Sequence, residues 1–552
     1  MQKRIEQIVF GGSLSFLVGY LGYGFIKQRH YDSKDDYDPS LLIRRIKHDP
    51  LENKEELFNS IGFSIWNKTG MEWTAFYSED YFNDKASYQF DPIAIKRIAE
   101  ATFELHNMCL EAVDNVVKSD ELMDLFEIPL NMREAIRESW KRNEADLVGR
   151  FDLLYDGTTY PKLIEYNADT PTLLVETARA QAVWAKPKAL LHKQFNYLTN
   201  ALKFAWSKIL KPEDKEVVFV AEKRDEEWDQ IKMLKETLPP GVASFLYEIK
   251  HLFFDPQKGT LFVANNDQVK EVTWLWKLYP WEWIAHEEIN HVFEHGRGSK
   301  HIRVGEPAWK IILSNKALLP YLWQLYPNHP NLLPAYFTDD PYYDDFINNE
   351  YENKQKKWVA KPKYGRGGEY ILISSQFDNW AEFLSKARED PQVFLDDKDE
   401  YENDNDNKNN DRESFSLGRR VIQLFHETPY FHGRRITIGS WVVFGAPAGI
   451  GIREDIRDVV YDNSSFVPHF VDHLNVVNFG EENTERNFEF YPSTKTQSEI
   501  RQRLYGKAGD ELLESLYNTR NEYLDAEVEI NRQEPRTGYR GHGVYYRYWP
   551  HS

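Results

Sequence analysis

Residues 150–167 read RFDLLYDGTTYPKLIEYN, and this stretch decides the fold. Apolar and polar residues alternate on both sides of an Asp-Gly-Thr-Thr segment, whose residue types are typical of hairpin turns. The pattern therefore predicts two antiparallel strands. If the loop between them holds four residues, Arg150 lies opposite Glu165 on the neighbouring strand.

The predicted hairpin places four polar side chains on one face, because successive side chains of a strand alternate between faces. These side chains belong to Arg150, Asp152, Glu165 and Asn167. Two carboxylates and an amide oxygen are hard ligands that suit Mg²⁺, and an adjacent guanidinium suits an anionic group. The alternative is a solvated hairpin face with one ion pair across the strands. If the face binds a metal, Asp152 is expected to be a ligand that faces solvent.

Composition limits the classes of function. A chain of 552 residues exceeds one ordinary core, so two or three lobes are expected. The formal net charge of −20 argues against a nucleic-acid binder and is compatible with a cationic substrate such as a polyamine. The chain has a single cysteine, Cys109, which excludes a disulfide framework. Cys109 lies in a helical pattern, which predicts that it is a buried core residue.

The N-terminal segment has the composition of a membrane anchor. Residues 8–26 form 19 uncharged positions between basic residues, a length that just reaches that of a transmembrane helix. No A-x-A-like cleavage site follows, so an uncleaved single-pass anchor over residues 1–34 is predicted. The flanking charges are nearly balanced and leave the orientation open. We expect the domain that follows the anchor to face a compartment such as the cytosol.

The remaining chain is predicted to contain one large domain and a C-terminal extension. The domain covers residues 42–475 and the extension, to which no role is assigned, covers residues 476–552. A low-complexity acidic stretch at about 396–412 predicts a disordered insertion. A helical stretch is predicted near 511–527 in the extension.

Within the large domain the pattern changes along the chain. Residues 42–143 are mostly helical in pattern and lead into the hairpin. Apolar runs at 217–221 and 261–264 predict strands, and they alternate with helical patterns, which predicts an α/β lobe. A further strand is predicted at 436–443.

A second segment carries phosphate-binding chemistry. Residues 358–373 contain a strand that includes Lys361, a glycine-rich loop with Arg366, and a second strand. Such a loop can wrap phosphates with backbone N–H groups and two cations, although it matches neither the Walker A pattern nor a dinucleotide fingerprint. The alternative is a glycine hairpin with basic surface residues. Arg453, after a later apolar strand pattern, suits either a phosphate or a turn or ion-pair role.

Several strings of sequence carry a resemblance to a known family. They are Gly149–Asp152, Glu165–Thr172, Lys277–Trp283, Glu306–Lys310, Ser314–Lys316, Lys361–Pro362, Gly365–Arg366, Gly439–Trp441 and Gly451–Asp455. In these strings, over roughly residues 45–475, the chain resembles the glutathionylspermidine synthetase family, a branch of the ATP-grasp carboxylate–amine ligases. The anchor, the acidic insertion and the extension lie outside the resemblance.

The resemblance implies a fold and a reaction. The implied fold is α/β, with a pre-ATP-grasp lobe and an ATP-grasp lobe that clamps ATP between sheets. The implied reaction uses ATP and Mg²⁺ to activate the glycine carboxylate of glutathione as an acyl phosphate, which a polyamine amine then attacks. The implied partners are these small molecules and, through the anchor, a membrane.

The resemblance also implies a role for each matching residue. The implied Mg²⁺ ligands are Asp152, Glu165 and Asn167. The implied ATP-binding residues are Lys316, Lys361, Arg366 and Gln423. The implied contacts to the thiol peptide are Thr170 and Thr172. The implied residues at the reacting phosphate and acyl group are Arg150 and Arg453.

One departure from the family concerns the amidase domain that bifunctional members carry in front. We expect no such domain here, so the chain looks closer to stand-alone synthetase-like members, and the amine substrate stays open. Two functions are considered: an ATP-dependent ligase, and a membrane-tethered, non-catalytic descendant that binds nucleotide or peptide. All three candidate metal ligands and both lysines are present, which favours the ligase.

Overall fold

The computed structural model describes residues 41–49, 81–222, 225–265, 268–293, 302–338, 356–394, 414–461, 464–474 and 493–533. The predicted anchor at 1–34 and the predicted acidic insertion at about 396–412 lie outside these ranges. Among the described residues, no helix has the length and apolar character needed to cross a membrane.

The chain has a mixed α/β fold. Its strands are β1 (Ile43–Lys47), β2 (Ala86–Phe90), β3 (Val148–Leu154), β4 (Lys162–Asn167), β5 (Glu216–Ala221), β6 (Ala243–Glu248), β7 (Leu252–Asp255), β8 (Thr260–Asn265), β9 (Gln268–Glu271), β10 (Trp274–Leu278), β11 (Arg303–Gly305), β12 (Ala335–Phe337), β13 (Trp358–Pro362), β14 (Leu372–Ile373), β15 (Gln392–Phe394), β16 (Ser414–Ser416), β17 (Arg420–Leu424), β18 (Arg435–Val443), β19 (Ala446–Asp455), β20 (Ser465–Val467) and β21 (His469–Val471). Its α-helices are α1 (Pro92–Val116), α2 (Asp120–Leu125), α3 (Arg133–Lys141), α4 (Gln181–Ala185), α5 (Leu198–Ile209), α6 (Asp225–Glu236), α7 (Trp281–Ile284), α8 (Lys310–Ser314), α9 (Leu318–Leu325), α10 (Trp380–Ala387) and α11 (Lys495–Gln533).

Two antiparallel sheets frame the site. The first has the order β20-β19-β18-β3-β4, and the second has the order β12-β17-β13-β14. A parallel sheet of order β11-β10-β5-β6 forms a further α/β layer. The strands predicted at 217–221, 261–264 and 436–443 are confirmed as β5, β8 and β18. The helical prediction for 42–143 is confirmed for α1 to α3 but missed β1 and β2, which pair with each other.

Helix α1 supports the first sheet from behind. It begins after Asp91, whose side chain accepts a hydrogen bond from the backbone N–H of Ile93, and Pro92 occupies its first position, where no amide is needed. Its buried face packs on β18 and β19. Cys109 in this helix is fully buried, as predicted, and burial raises the pKa of its thiol above the ordinary range.

The apolar residues form two separate cores. The larger core joins α1, the first sheet and the parallel sheet, and it contains fully buried tryptophans such as Trp441 and Trp276. The smaller core packs α10 on the second sheet around Trp358 and Phe383. The second sheet contributes to both cores, because Ala335 and Phe337 on β12 and Val421 on β17 belong to the larger one.

Candidate active site

The hairpin that the sequence predicts is formed by β3 and β4, with a register that differs from the predicted one. Arg150 lies opposite Asn167, and Asp152 lies opposite Glu165. The register then shifts because Ile164 is an extra residue on β4, as in a β-bulge, and the loop extends over residues 155–161. The predicted Arg150–Glu165 pairing is therefore wrong by two positions. A shift of two residues keeps every side chain on its face, so the predicted polar face is confirmed.

Asp152 is bound by two arginines. Arg150 donates to it from Nε at 2.8 Å and from Nη2 at 3.2 Å, and Arg453 on β19 donates from Nη2 at 3.0 Å. The side chains of Asp152 and Arg150 are only 2% and 4% exposed. The expectation that Asp152 faces solvent is wrong, because the arginines and the neighbouring strand β18 cover it.

Arg150 is fixed on three sides. Its Nη1 also donates to the backbone carbonyl of Thr172, which follows the hairpin. On β18 the residue opposite Arg150 is Trp441. At Gly439, two positions away, a Cβ atom would lie 2.9 Å from Cδ of Arg150, so only glycine leaves room for the arginine side chain. Burial opposes the charge of Arg150, but the carboxylate of Asp152 outweighs this effect and raises the pKa of the guanidinium.

Glu165 lies opposite Asp152 and has its own cation. Nζ of Lys316 lies 3.1 Å from its Oε2, and the amide of Asn167 donates to its Oε1 at 3.1 Å. Burial favours the neutral acid, but Lys316 and then Lys361 outweigh this effect and hold the pKa of Glu165 well below its ordinary value. The two opposed carboxylates are therefore tolerated because cations flank both of them.

Lys361 connects the two sheets. It lies on β13, and its Nζ donates to the carbonyl of Ile164 at 2.9 Å and to Oε1 of Gln423 at 2.8 Å. Gln423, on β17, in turn donates to the carbonyl of Leu163 at 2.9 Å. The bulge on β4 thus presents a carbonyl to the lysine. Burial lowers the pKa of Lys361 to about 8, against the opposing effect of Glu165.

Arg366 lies in the glycine-rich loop and closes over the end of β4. It donates to Oγ1 of Thr170 at 2.6 Å and to Oε1 of Glu282 at 2.6 Å, and its guanidinium lies 5.6 Å from the ring centre of Trp283. Lys316 donates to the carbonyl of Gly365 in the same loop at 2.5 Å. The loop and the hairpin therefore approach each other through polar contacts that can be exchanged for a ligand.

Part of this group of residues lines a polar cleft. The lining side chains and backbone belong to Glu165, Tyr166, Asn167, Thr170, Glu282, Ser314, Lys316, Tyr364, Gly365 and Arg366. Five of the eleven residues to which a role was assigned line the cleft: Glu165, Asn167, Thr170, Lys316 and Arg366. The other six adjoin the hairpin: Asp152 lies opposite Glu165 and binds Arg150 and Arg453, Arg150 binds Thr172, and Lys361 and Gln423 donate to carbonyls of β4.

Sequence analysis assigned no role to two residues at the cleft. Glu282 lines the cleft, and Asp169 precedes the cleft residue Thr170. Both lie in strings that supported the family resemblance. Asp169 accepts from Nζ of Lys277 at 2.7 Å and from the backbone N–H of Trp281 at 2.9 Å, and this ion pair is fully buried. It fixes the segment that carries Thr170. The tryptophan-rich string 277–283 was the available signal.

The donor set fits a Mg²⁺ ion that shares its ligands with a nucleotide. Within the described part of the chain, no cluster of three or more His, Cys, Asp or Glu side chains could hold a metal alone. Asp152 and Glu165 are cross-strand partners, and the amide of Asn167 adjoins them. Mg²⁺ is commonly bound by one or two carboxylates and completes its octahedron with water and substrate phosphates.

Comparison with known proteins gives one family. Residues 59–472 match the model of the family described as glutathionylspermidine synthase preATP-grasp. A protein of Haemophilus influenzae, provisionally named an acid–amine ligase, is 33% identical over 423 residues, which are 75% of this chain and 96% of that protein.

Two further relatives are longer than the matched region. Trypanothione synthetase of Crithidia fasciculata is 26% identical over 64% of this chain and 51% of its own length. The bifunctional glutathionylspermidine synthetase/amidase of Escherichia coli is 29% identical over 70% of this chain and 59% of its own length. The chain thus spans between half and three fifths of these two proteins.

Proposed function

The chain belongs to the glutathionylspermidine synthase pre-ATP-grasp family and, like its relatives, is a ligase that forms C–N bonds; we propose that it joins the carboxylate of glutathione or a similar peptide to a polyamine or another amine. ATP and Mg²⁺ drive the reaction. The observation that carries the proposal is the pairing of two opposed carboxylates with cations: Asp152 binds Arg150 and Arg453, and Glu165, which lines the cleft, binds Lys316.

The proposed reaction consists of two successive substitutions. An oxygen of the peptide carboxylate attacks the γ-phosphorus of ATP, and ADP leaves with the electron pair of the broken P–O bond. The uncharged amine then attacks the carbonyl carbon of the acyl phosphate, inorganic phosphate leaves, and the amine gives up its proton to form the amide. A carboxylate is a poor electrophile, so phosphorylation supplies the leaving group that amide formation requires.

Arg150 and Arg453 act at the reacting phosphoryl and acyl groups. Both guanidiniums donate to Asp152, and their positive charge offsets the charge that develops during phosphoryl transfer. Their mutual positions are fixed by Asp152, so the protein does not have to reorganise them during the reaction. Preorganised charge of this kind supplies a large part of enzymatic rate acceleration.

ATP binds between the two sheets. Lys316 and Lys361 bind its phosphates, Arg366 closes the glycine-rich loop over them, and Gln423 lies near the adenine. The exchangeable contacts of Lys316 and Arg366 with the loop and the hairpin support this assignment. Asp152, Glu165 and Asn167 would hold Mg²⁺, which neutralises phosphate charge when it is bound.

The peptide binds beside the loop. Thr170 and Thr172 provide the contacts to it, which agrees with their positions next to Arg366 and Arg150. Because the reaction consumes ATP, we also infer that the domain faces an ATP-containing compartment such as the cytosol.

The experiment uses the purified full-length chain with Mg²⁺, ATP, glutathione and a panel of diamines and polyamines. ADP release is followed together with the mass of the product. Release that requires both the peptide and an amine, with a product mass equal to their condensation, supports the proposal and identifies the amine. A chain with Lys361→Met serves as the control for contaminating ATPases. ATP binding without turnover across peptides and amines would contradict it.

A further inference from the structure

Helix α11 lies beyond the region that matches the family, yet it is packed into the domain. It contacts α1 and β19, and a kink at Gly506, whose φ of 54° and ψ of −158° suit only glycine, divides it. Before and after the kink its inward side chains are buried. These side chains belong to Ile500, Arg501, Leu504, Tyr505, Leu512 and Leu516. The helix is therefore a part of the folded domain.

Tyr505 reaches a chain of buried polar groups. Its hydroxyl donates to Oδ1 of Asp146 at 2.6 Å and lies 2.8 Å from Nε2 of His106 on α1. Nδ1 of His106 lies 3.1 Å from the hydroxyl of Tyr166. All four side chains are at most 4% exposed. The chain of contacts thus runs from α11 through α1 to β4.

Tyr166 is the last member of this chain and forms the back of the catalytic hairpin. It lies between Glu165 and Asn167 in sequence, and its ring stacks on Phe151 of β3 with 3.7 Å between ring centres and an interplanar angle of 16°. Gly149 leaves space for it, because a Cβ there would lie 2.8 Å from its hydroxyl. The opposite face of the same two strands carries the carboxylates of the site and Arg150.

At its other end, this chain of buried polar groups fixes the start of β3. Asp146 lies 3.1 Å from Nζ of Lys310, and Lys310 donates to the carbonyl of Val148 at 2.8 Å. Glu306 also binds Lys310, at 2.9 Å, and it accepts the backbone N–H groups of Leu147 and Val148. The hydroxyl of Tyr505 therefore joins the entrance of β3 to the back of β4.

The same helix also contacts the turn between β18 and β19. Arg501 donates to the carbonyl of Gly445 at 2.9 Å, and the rings of Tyr505 and Phe444 lie 5.1 Å apart. Strand β19 carries Arg453 into the site. One helix thus contacts β19 directly and is linked to the start of β3 through Asp146 and to β4 through His106.

We propose that α11 is a positioning element of the ligase and that Tyr505 is its positioning residue, which orients the β3–β4 hairpin for phosphoryl transfer. The inference rests on the proposed function. Lys361 and Gln423 lie on the second sheet, outside the contacts of Tyr505 described above, so we expect binding of ATP to depend on Tyr505 much less than turnover does. A hairpin displaced by a fraction of an ångström still binds nucleotide but no longer aligns the reacting groups.

The test is Tyr505→Phe, which keeps the ring and removes the hydroxyl. We expect kcat to fall by about tenfold or more, since small displacements of reacting groups are costly, while KM for ATP stays within about twofold. Tyr517→Phe on the same helix, at a ring that is 41% exposed, is the matched control and should leave kcat unchanged. Wild-type kcat in Tyr505→Phe, or an equal fall in kcat and rise in KM for ATP, would overturn the proposal.

Two further measurements keep the test decisive. Tyr166→Phe breaks the same chain nearer the hairpin, and the double variant should lose little more kcat than either single variant, whereas independent effects would multiply. Hydrogen exchange of the free protein separates this inference from the proposed function, because it needs no turnover. Faster exchange at β3 and β4 in Tyr505→Phe supports the inference, and unchanged exchange there refutes it, whether or not the wild type forms amides.

Discussion

The pKa of Lys361 makes ATP affinity depend on pH in a range that is easy to reach. Burial lowers this pKa to about 8, so the ammonium is charged below that pH and neutral above it. Only the charged form attracts phosphate. At pH 9 about one tenth of the unliganded lysine is protonated, so ATP affinity should be about tenfold weaker than at pH 7.

The measurement is a calorimetric titration of the full-length chain with a non-hydrolysable ATP analogue and Mg²⁺ between pH 6.5 and 9.5. It needs no knowledge of the other substrates. Lys361→Arg keeps a charge throughout this range and should bind with little dependence on pH. Lys361→Met should bind weakly at every pH, as the wild type does at the alkaline end. A wild-type affinity that is equal at pH 7 and pH 9, or a decline that persists in Lys361→Arg, would refute the reasoning.

Three further predictions concern buried and exposed charges. Asp152→Asn should abolish turnover and lower the free energy of unfolding by about 3–5 kcal/mol, because two arginines lose their carboxylate; urea denaturation with an unchanged midpoint would contradict this. Lys277→Met should cost about 3–5 kcal/mol of stability through its buried pair with Asp169, with ATP affinity retained in the titration above. Arg366→Lys should lower kcat/KM on the order of tenfold, because an ammonium cannot make both bonds of the guanidinium. Its denaturation midpoint should not change, since that side chain is 40% exposed.

The face of the hairpin could be predicted from the sequence, but its register could not. Alternation fixes which side chains share a face, and Arg150 and Asp152 follow it. A bulge interrupts the pairing without interrupting the apolar pattern, because Ile164 looks like an ordinary strand residue. The loop was also taken as shorter than it is, since Asp156 accepts two backbone N–H groups within it and so closes a local turn before the strands pair.

What covers the hairpin could not be predicted, because it comes from distant parts of the chain. Asp152 was expected to face solvent, and local sequence contains no sign that Arg453 and strand β18 would bury it. A helix near 511–527 was predicted and lies within α11. Its docking depends on Tyr505 and on groups far away in sequence.

The bulge on β4 has a consequence for how this family can vary. Lys361 bonds to the main-chain carbonyl of Ile164 and not to its side chain. We therefore expect the residue type at position 164 to drift freely among relatives, within the limits of a half-buried strand. A deletion or insertion between 163 and 165 would instead move the carbonyl away from the lysine and shift Glu165 from its place opposite Asp152. Selection at this point acts on the number of residues between 163 and 165 more than on the residue type at 164.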